Sequence, residues 1–266
     1  SAMIPTYALD ASTYGHHKRN RSVNFLGGDP HDGPMPMDYF VWLARSSDRT
    51  FVIDTGFSQA GADHRKRELI RLPSVGLALL GVDAASVKDV IVTHLHYDHI
   101  GNFGLFPSAT FHLQDREMQF TTGRYMCLDC FKHSFDVEDV VSMVRAVYKG
   151  RVDFTDGDAE IAPGISVHLI GGHTLGLQSV RVHTKRGWVV VASDAAHYYE
   201  NMEAKRPFST VINIGDMADG WKRLRALADS PDHIVPGHDP EVLRRYPAPN
   251  TSLEGIVARL DVAPTQ

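Results

Sequence analysis

The sequence predicts an α/β fold, a four-layer αββα sandwich made by a single domain over residues 1–266. Three observations predict it. Short β-branched and aromatic runs alternate with amphipathic stretches along the whole chain. The runs fall into two β-rich halves with helical segments between them, the pattern of sheets covered by helices. No low-complexity tract or linker is long enough to divide the chain, and 266 residues are ample for one shared core.

Residues 1–38 are expected to be an N-terminal arm, because 10–38 are rich in Gly, Pro, Asp and His and read as an ordered loop. Residues 39–44 and 50–53 read as a hairpin turned at 46–49 and ending at Asp54-Thr55-Gly56. Residues 62–80 read as two short helices interrupted by Pro73 and Gly76. Residues 87–92 and 110–113 are strands, and 114–121 and 137–148 helices, the second with a stripe of Val137, Val140, Val141, Val144 and Val147. Strands follow at 152–154, 165–170, 179–184 and 188–192, the last two joined by a turn at Lys185-Arg186-Gly187. A helix over 216–228 (Trp221, Leu224 and Leu227 on one face), a strand at 233–235 and a helix at 239–246 close the chain.

Composition narrows the function. Lys and Arg number 27 against 32 Asp and Glu, a net charge of −5, so no nucleic-acid or anionic-membrane binder is expected. No apolar run reaches the ~20 residues of a transmembrane helix, and no signal peptide is read at the start, where Ser1-Ala2-Met3 resembles a cloning remnant. A cytoplasmic protein is therefore expected. The two cysteines, Cys127 and Cys130, form a lone Cys-x-x-Cys without a second ligand pair and read as reduced thiols. The unusual number is the 15 histidines.

Their positions carry the chemistry. His94-Leu95-His96-Tyr97-Asp98-His99 follows an apolar strand, and three imidazoles and a carboxylate in so short a span suit divalent cations such as Zn, Fe, Mn or Co. At strand spacing, His94 and His96 would point to one face. Three more candidates sit just past predicted strands: His173 in Gly171-Gly172-His173-Thr174-Leu175-Gly176, Asp194 in Ser193-Asp194, and His238 in Pro236-Gly237-His238-Asp239.

On these residues the chain resembles the metallo-β-lactamase superfamily, over nearly its whole length. The resemblance implies that His94, His96 and His173 bind a first metal, that Asp98, His99 and His238 bind a second, and that Asp194 bridges them. It gives Asp54 the role of orienting a ligand histidine. It implies two divalent ions, zinc foremost, that activate a bridging water and polarise a carbonyl.

Within the superfamily the ligand spacing, the Asp54-Thr55-Gly56 turn and the short tail after Gly237-His238-Asp239 resemble the N-acyl-homoserine lactonase branch. That implies hydrolysis of a lactone, an N-acyl-homoserine lactone first (quorum quenching). Another lactone, such as a small pyridoxolactone-like aromatic one, and a thioester of the glyoxalase II type stay open, as does a metal-binding protein without turnover. The implied catalytic residues are Asp98, Asp194, His197 and Tyr198. Lactonases of this branch keep a tyrosine three residues after the bridging aspartate; here that place is His197, with Tyr198 and Tyr199 beside it. The resemblance also raises a homodimer, with His16, His17 and His31 in an arm that shapes the pocket or the interface. Met35, Met37, Phe106, Met126, Phe131 and Phe208 are candidates for an apolar pocket wall.

Overall fold

Most strands form where β-branched and aromatic residues cluster between turns. In chain order they are β1 (Ala8–His17), β2 (Met37–Arg45), β3 (Thr50–Ile53), β4 (Glu68–Leu69), β5 (Asp89–Ile91), β6 (Thr110–Gln114), β7 (Val152–Thr155), β8 (Ala159–Ala162), β9 (Ile165–Leu169), β10 (Gln178–Thr184), β11 (Gly187–Ser193), β12 (Ile234–Pro236) and β13 (Val257–Arg259). The structure, a computed structural model, describes residues 3–265; Ser1 and Ala2 of the expected cloning remnant, and Gln266, lie outside the described residues. One sheet runs β13-β1-β2-β3-β5-β6-β7, with β4 also paired to β1; the other runs β12-β11-β10-β9-β8. Strands β3, β5, β6 and β7 are mutually parallel, as are β11 and β12, and the remaining pairs are antiparallel.

The two-residue period of the strands decides the layers. Phe40, Trp42, Phe51 and Ile53 face Val167, Val180, Val182 and Val191 in the core between the sheets. Their neighbours Leu43 and Val52, with Val90 and Phe111, face the opposite way and meet Leu77, Met143 and Ala146 of the outer helices Pro73–Leu79 and Val137–Tyr148. Behind the second sheet, Val190 and Ala192 pack on Met217, Trp221 and Leu224 of the helix Ile214–Leu227. This is the expected four-layer sandwich. Among the described residues no helix is long and apolar enough to cross a membrane.

Several expectations are corrected. The N-terminal arm is no loop in its first half: β1 is buried and pairs with β2, β4 and β13. Its outward Asp10 and Ser12 are polar yet buried, because neighbouring chain covers them, and that hid the strand. Strands β4, β8 and β13 were not anticipated. Pro73 opens a helix rather than interrupting one, as its missing N–H allows. In the helix Val137–Tyr148 the buried stripe is Val140, Met143 and Ala146, while Val137 is 69% exposed. The Lys185-Arg186 hairpin turn is present, with Thr184 opposite Gly187.

The first strand also carries a bulge, between Thr13 and Gly15. It turns Tyr14 so that its hydroxyl donates to the Asp98 carbonyl at 2.7 Å.

Asp10, buried near Arg45 Nη2 at 3.6 Å, has its pKa raised to about 6 by burial and by Asp261, against the pull of Arg45 and Arg259. An unfolded Asp titrates near 3.9, so between these values the folded state holds more protons and stability falls as pH rises. Asp10→Asn should flatten that fall, on the order of 1–3 kcal/mol, in urea midpoints compared at about pH 4 and pH 6.

Candidate metal centre

All seven predicted ligand residues are buried: His94, His96, His173, Asp194 and His238 lie in loops or turns beyond C-terminal strand ends, and Asp98 and His99 in the short helix that follows one of them. After β5 the chain leaves the strand at Ile91, passes through an irregular stretch that carries His94 and His96, and enters the short helix Tyr97–Ile100. The two histidines therefore converge from a loop rather than from strand alternation. His173 follows β9, Asp194 follows β11 and His238 follows β12. Ser193 has a left-handed backbone (φ 50), a conformation that costs energy in a non-glycine residue and recurs at functional sites. Gly237 is required beside it: a Cβ there would stand 2.6 Å from the Ser193 carbonyl oxygen.

The donor atoms form two groups, His94, His96, His173 and Asp194, and Asp98, His99, Asp194 and His238, each with its atoms within 4.8 Å of one another. In the first, His96 Nδ1 is 3.1 Å from His94 Nε2 and 3.0 Å from His173 Nε2. Asp194 Oδ2 is 3.4 Å from His94 Nε2 and 3.1 Å from His173 Nε2. In the second, Asp194 Oδ1 is 2.9 Å from His238 Nε2 and 3.3 Å from His99 Nε2, and Asp98 Oδ2 is 3.2 Å from His99 Nε2. Asp194 thus gives one oxygen to each group.

These residues fit a pair of divalent ions. A tetrahedral ion with bonds of about 2.0–2.1 Å has donor–donor edges of about 3.3 Å, the spacing seen here. His99 Nε2 is buried without a hydrogen-bond partner. Burial holds the His94 pKa down to about 3 and that of His96 well below its usual value, so both are neutral, lone-pair-bearing donors. Burial would also lower His99 and His238, but Asp194 and Asp98 outweigh it and raise both. Burial raises Asp194, yet His238, His99, His197 and His94 together hold it well below the carboxylate range. The field at this point calls for positive charge.

The far nitrogens of the imidazoles are held from behind. His99 Nδ1 meets Asp54 Oδ2 at 2.6 Å, and Asp54 is fixed in turn by Thr93 N and Oγ1, both at 2.7 Å. His173 Nδ1 is 2.7 Å from the Thr210 carbonyl, and His238 Nδ1 is 2.9 Å from that of Asp38. Such partners fix ring orientation and tautomer. The expected role of Asp54 corresponds to this contact.

One supporting residue was missed. The buried Glu117 carboxylate accepts from Leu95 N at 2.8 Å and from Gly176 N at 3.0 Å, tying together the loops that carry His94–His99 and His173. Gly176 lies so close that a Cβ would meet Glu117 N. A lone acidic residue in an amphipathic helix gives no signal of this.

Over the cluster lies a cavity of about 180 Å³. Of the six apolar candidates only Met37 and Phe208 line it. Phe106 is fully buried in the outer core, Met126 and Phe131 pack against that core, and Met35 lines a different groove. The wall instead carries Tyr39, Tyr97, Arg19, Arg65 and Arg67, none of which was anticipated. His197 lines it as well, stacked on Phe208 with centroids 3.5 Å apart and with Nε2 3.3 Å from Asp194 Oδ2. Tyr198 does not line it: its hydroxyl donates to the Pro36 carbonyl at 3.3 Å. Tyr199 lies in the core beneath Arg245. His16 pairs with Asp38 at 2.7 Å, and with His17 lines a neighbouring groove. Cys127 and Cys130 are exposed free thiols.

Residues 35–238 match the profile of the metallo-beta-lactamase superfamily. The chain belongs to this superfamily. Among relatives in it, the N-acyl homoserine lactonase AttM of Azorhizobium caulinodans is 30% identical over 171 residues, 61% of this chain and 62% of that protein. The chain thus spans less than two thirds of that relative. An N-acyl homoserine lactonase from a Bacillus species is 25% identical over 224 residues, 77% of this chain and 83% of the relative. In fold, the chain is similar to the crystal structure of a quorum-quenching N-acyl homoserine lactone lactonase, with a TM-score of 0.74 at 22% identity over 91% of this chain and 95% of that one. It is also similar to AidC, a dizinc quorum-quenching lactonase, with a TM-score of 0.71 at 18% identity over 90% of each chain. The metallo-beta-lactamase fold therefore accounts for both sheets, and for the edge at which the donor loops gather.

Glu117→Ala would leave two buried N–H groups unsatisfied, at about 1–3 kcal/mol each. It should lower the urea midpoint and weaken divalent-metal retention, read by metal analysis after dialysis, although Glu117 belongs to neither donor group.

Proposed function

We propose that this protein is a metal-dependent hydrolase that opens a lactone ring. The observation that carries the reading is the pair of buried donor groups sharing Asp194 at a cavity over the cluster. His94, His96 and His173 would hold one ion, Asp98, His99 and His238 the other, and Asp194 both. Zinc suits this imidazole and carboxylate set, as do iron, manganese and cobalt. Ions held there would supply a Lewis acid for an ester carbonyl and water that is nucleophilic near neutral pH.

The chain's own residues do the rest. Asp54 and the Asp38 and Thr210 carbonyls keep the imidazoles aimed inward. Phe208 and Met37 give the cavity its apolar lining. His197, whose pKa burial lowers to about 3, stands as a neutral imidazole between Phe208 and Asp194. It occupies the place of the branch's substrate-facing tyrosine, and we assign it to positioning Asp194 and bordering the substrate. Tyr198, bonded to Pro36, has no part in this reading.

The names of the relatives support a lactone as substrate and make N-acyl homoserine lactones the first class to assay. Purified protein should retain about two divalent ions per chain, and chelation should abolish lactone hydrolysis until metal is restored. His96→Ala and Asp194→Ala should each lower kcat/KM by more than the about ten- to a hundredfold that loss of a residue merely supporting a ligand commonly costs. Full activity in metal-stripped protein would sink the proposal. Turnover of thioesters without turnover of any lactone would move the protein to the glyoxalase II type.

A further inference from the structure

We infer that the cavity is built for a lactone that carries an anionic substituent, a carboxylate in the first instance. This inference rests on the hydrolase reading and names its substrate class.

A long acyl chain calls for apolar walls, and beyond Met37 and Phe208 the side chains around the donor cluster present mostly polar groups. Three of them are guanidiniums. Arg65 closes the helix Gln59–Arg65, and the left-handed turn at Lys66 (φ 57) brings Arg67 round to the same cavity. Arg19 reaches it from beyond β1.

All three are held in place by neutral partners. Arg67 donates through Nε to the Tyr97 hydroxyl at 3.1 Å and through Nη1 to the Arg65 carbonyl at 2.6 Å. Arg65 donates to the His133 and Phe135 carbonyls at 2.7 and 3.2 Å, with its Cζ 4.0 Å from the Tyr97 ring centroid. Arg19 donates to Asn24 Oδ1 at 2.7 Å and to the Val23 carbonyl at 3.1 Å. Among the described residues none of the three is ion-paired with a carboxylate, whereas Arg21, Arg206 and Arg223 are.

Among the described residues the only carboxylates lining the cavity are Asp98 and Asp194, and both belong to the donor groups. Three fixed cations therefore face the space where a substrate would sit, without counter-charge of their own. The adjoining groove, which shares Arg19, adds Lys18, and among the described residues no acidic side chain lines it. The bonds above occupy Nε and Nη1 of Arg67 and Nε and Nη2 of Arg19, so each offers a carboxylate its remaining terminal nitrogen in a charge-assisted hydrogen bond, and a positive mouth draws an anion in.

The test uses the full chain loaded with zinc and a matched pair of substrates, γ-butyrolactone bearing a ring carboxylate and the same lactone bearing a carboxamide. The acid should be preferred in kcat/KM by about ten- to a hundredfold, the range of a charge-assisted hydrogen bond. The preference should shrink as ionic strength rises. It should fall towards one in Arg67→Met and in Arg19→Met, persist in part in Arg67→Lys, and be untouched in Arg116→Met, a surface charge loss outside this cavity. Calorimetry with cyclopentanone carboxylate and cyclopentanone carboxamide, which cannot be hydrolysed, should show the same order of binding.

Equal handling of acid and amide, a preference that survives both Arg67→Met and Arg19→Met, or a long-chain N-acyl homoserine lactone that outcompetes the acid would overturn the inference. Binding of the ketone acid over the amide, with no lactone turned over, would uphold the anion site and overturn the hydrolase reading instead.

Discussion

Asp194 is buried, and its two carboxylate oxygens meet imidazole nitrogens of His94, His99, His173, His197 and His238, all at 2.9 to 3.4 Å. A carboxylate taken out of water is costly unless compensated, and here the compensation comes from loops at the ends of β5, β9, β11 and β12. Much of the local architecture follows from holding those loops around one side chain. The strained backbone at Ser193, the Cβ-free approach at Gly237 and the turn that carries His173 are the means. Because the donors come from both sheets, the cluster also joins the two halves of the sandwich. Gln178 of β10 does so too, donating to the carbonyls of Val92 and His112 at 2.8 and 3.1 Å directly behind the donor loop.

Around this centre lies a layer of neutral and acidic acceptors whose work is directional. Asp54, the Asp38 and Thr210 carbonyls and Glu117 touch no shared donor oxygen, yet each fixes a ring or a loop that does. Tyr14, swung inward by the bulge in β1, holds the backbone of Asp98 from the opposite side. The N-terminal strand is thus part of the scaffold of the site.

The donor residues were legible because ligand chemistry needs particular residue types, and strand ends put them at recognisable places in the chain. His94-x-His96-x-Asp98-His99 is local, and His173, Asp194 and His238 each follow an apolar run. The sandwich was legible for the same reason, through alternation in β2, β3, β10 and β11. Less was legible where burial comes from tertiary cover: polar Asp10 and Ser12 hid β1, and the valine-rich helix 137–148 turned Met143 and Ala146 inward rather than Val137. The cavity wall was not legible. Arg19, Arg65 and Arg67 are ordinary surface-type residues in sequence, and only the turn at Lys66 and the pairing of β4 with β1 bring them together.

That turn at Lys66 separates two kinds of information in the gene. The stretch bearing Arg65 and Arg67 supplies no donor to either group, and the stretches bearing the donors supply no guanidinium to the wall. Substitutions at that helix end would therefore change the charge of the cavity wall while leaving every member of both donor groups in place.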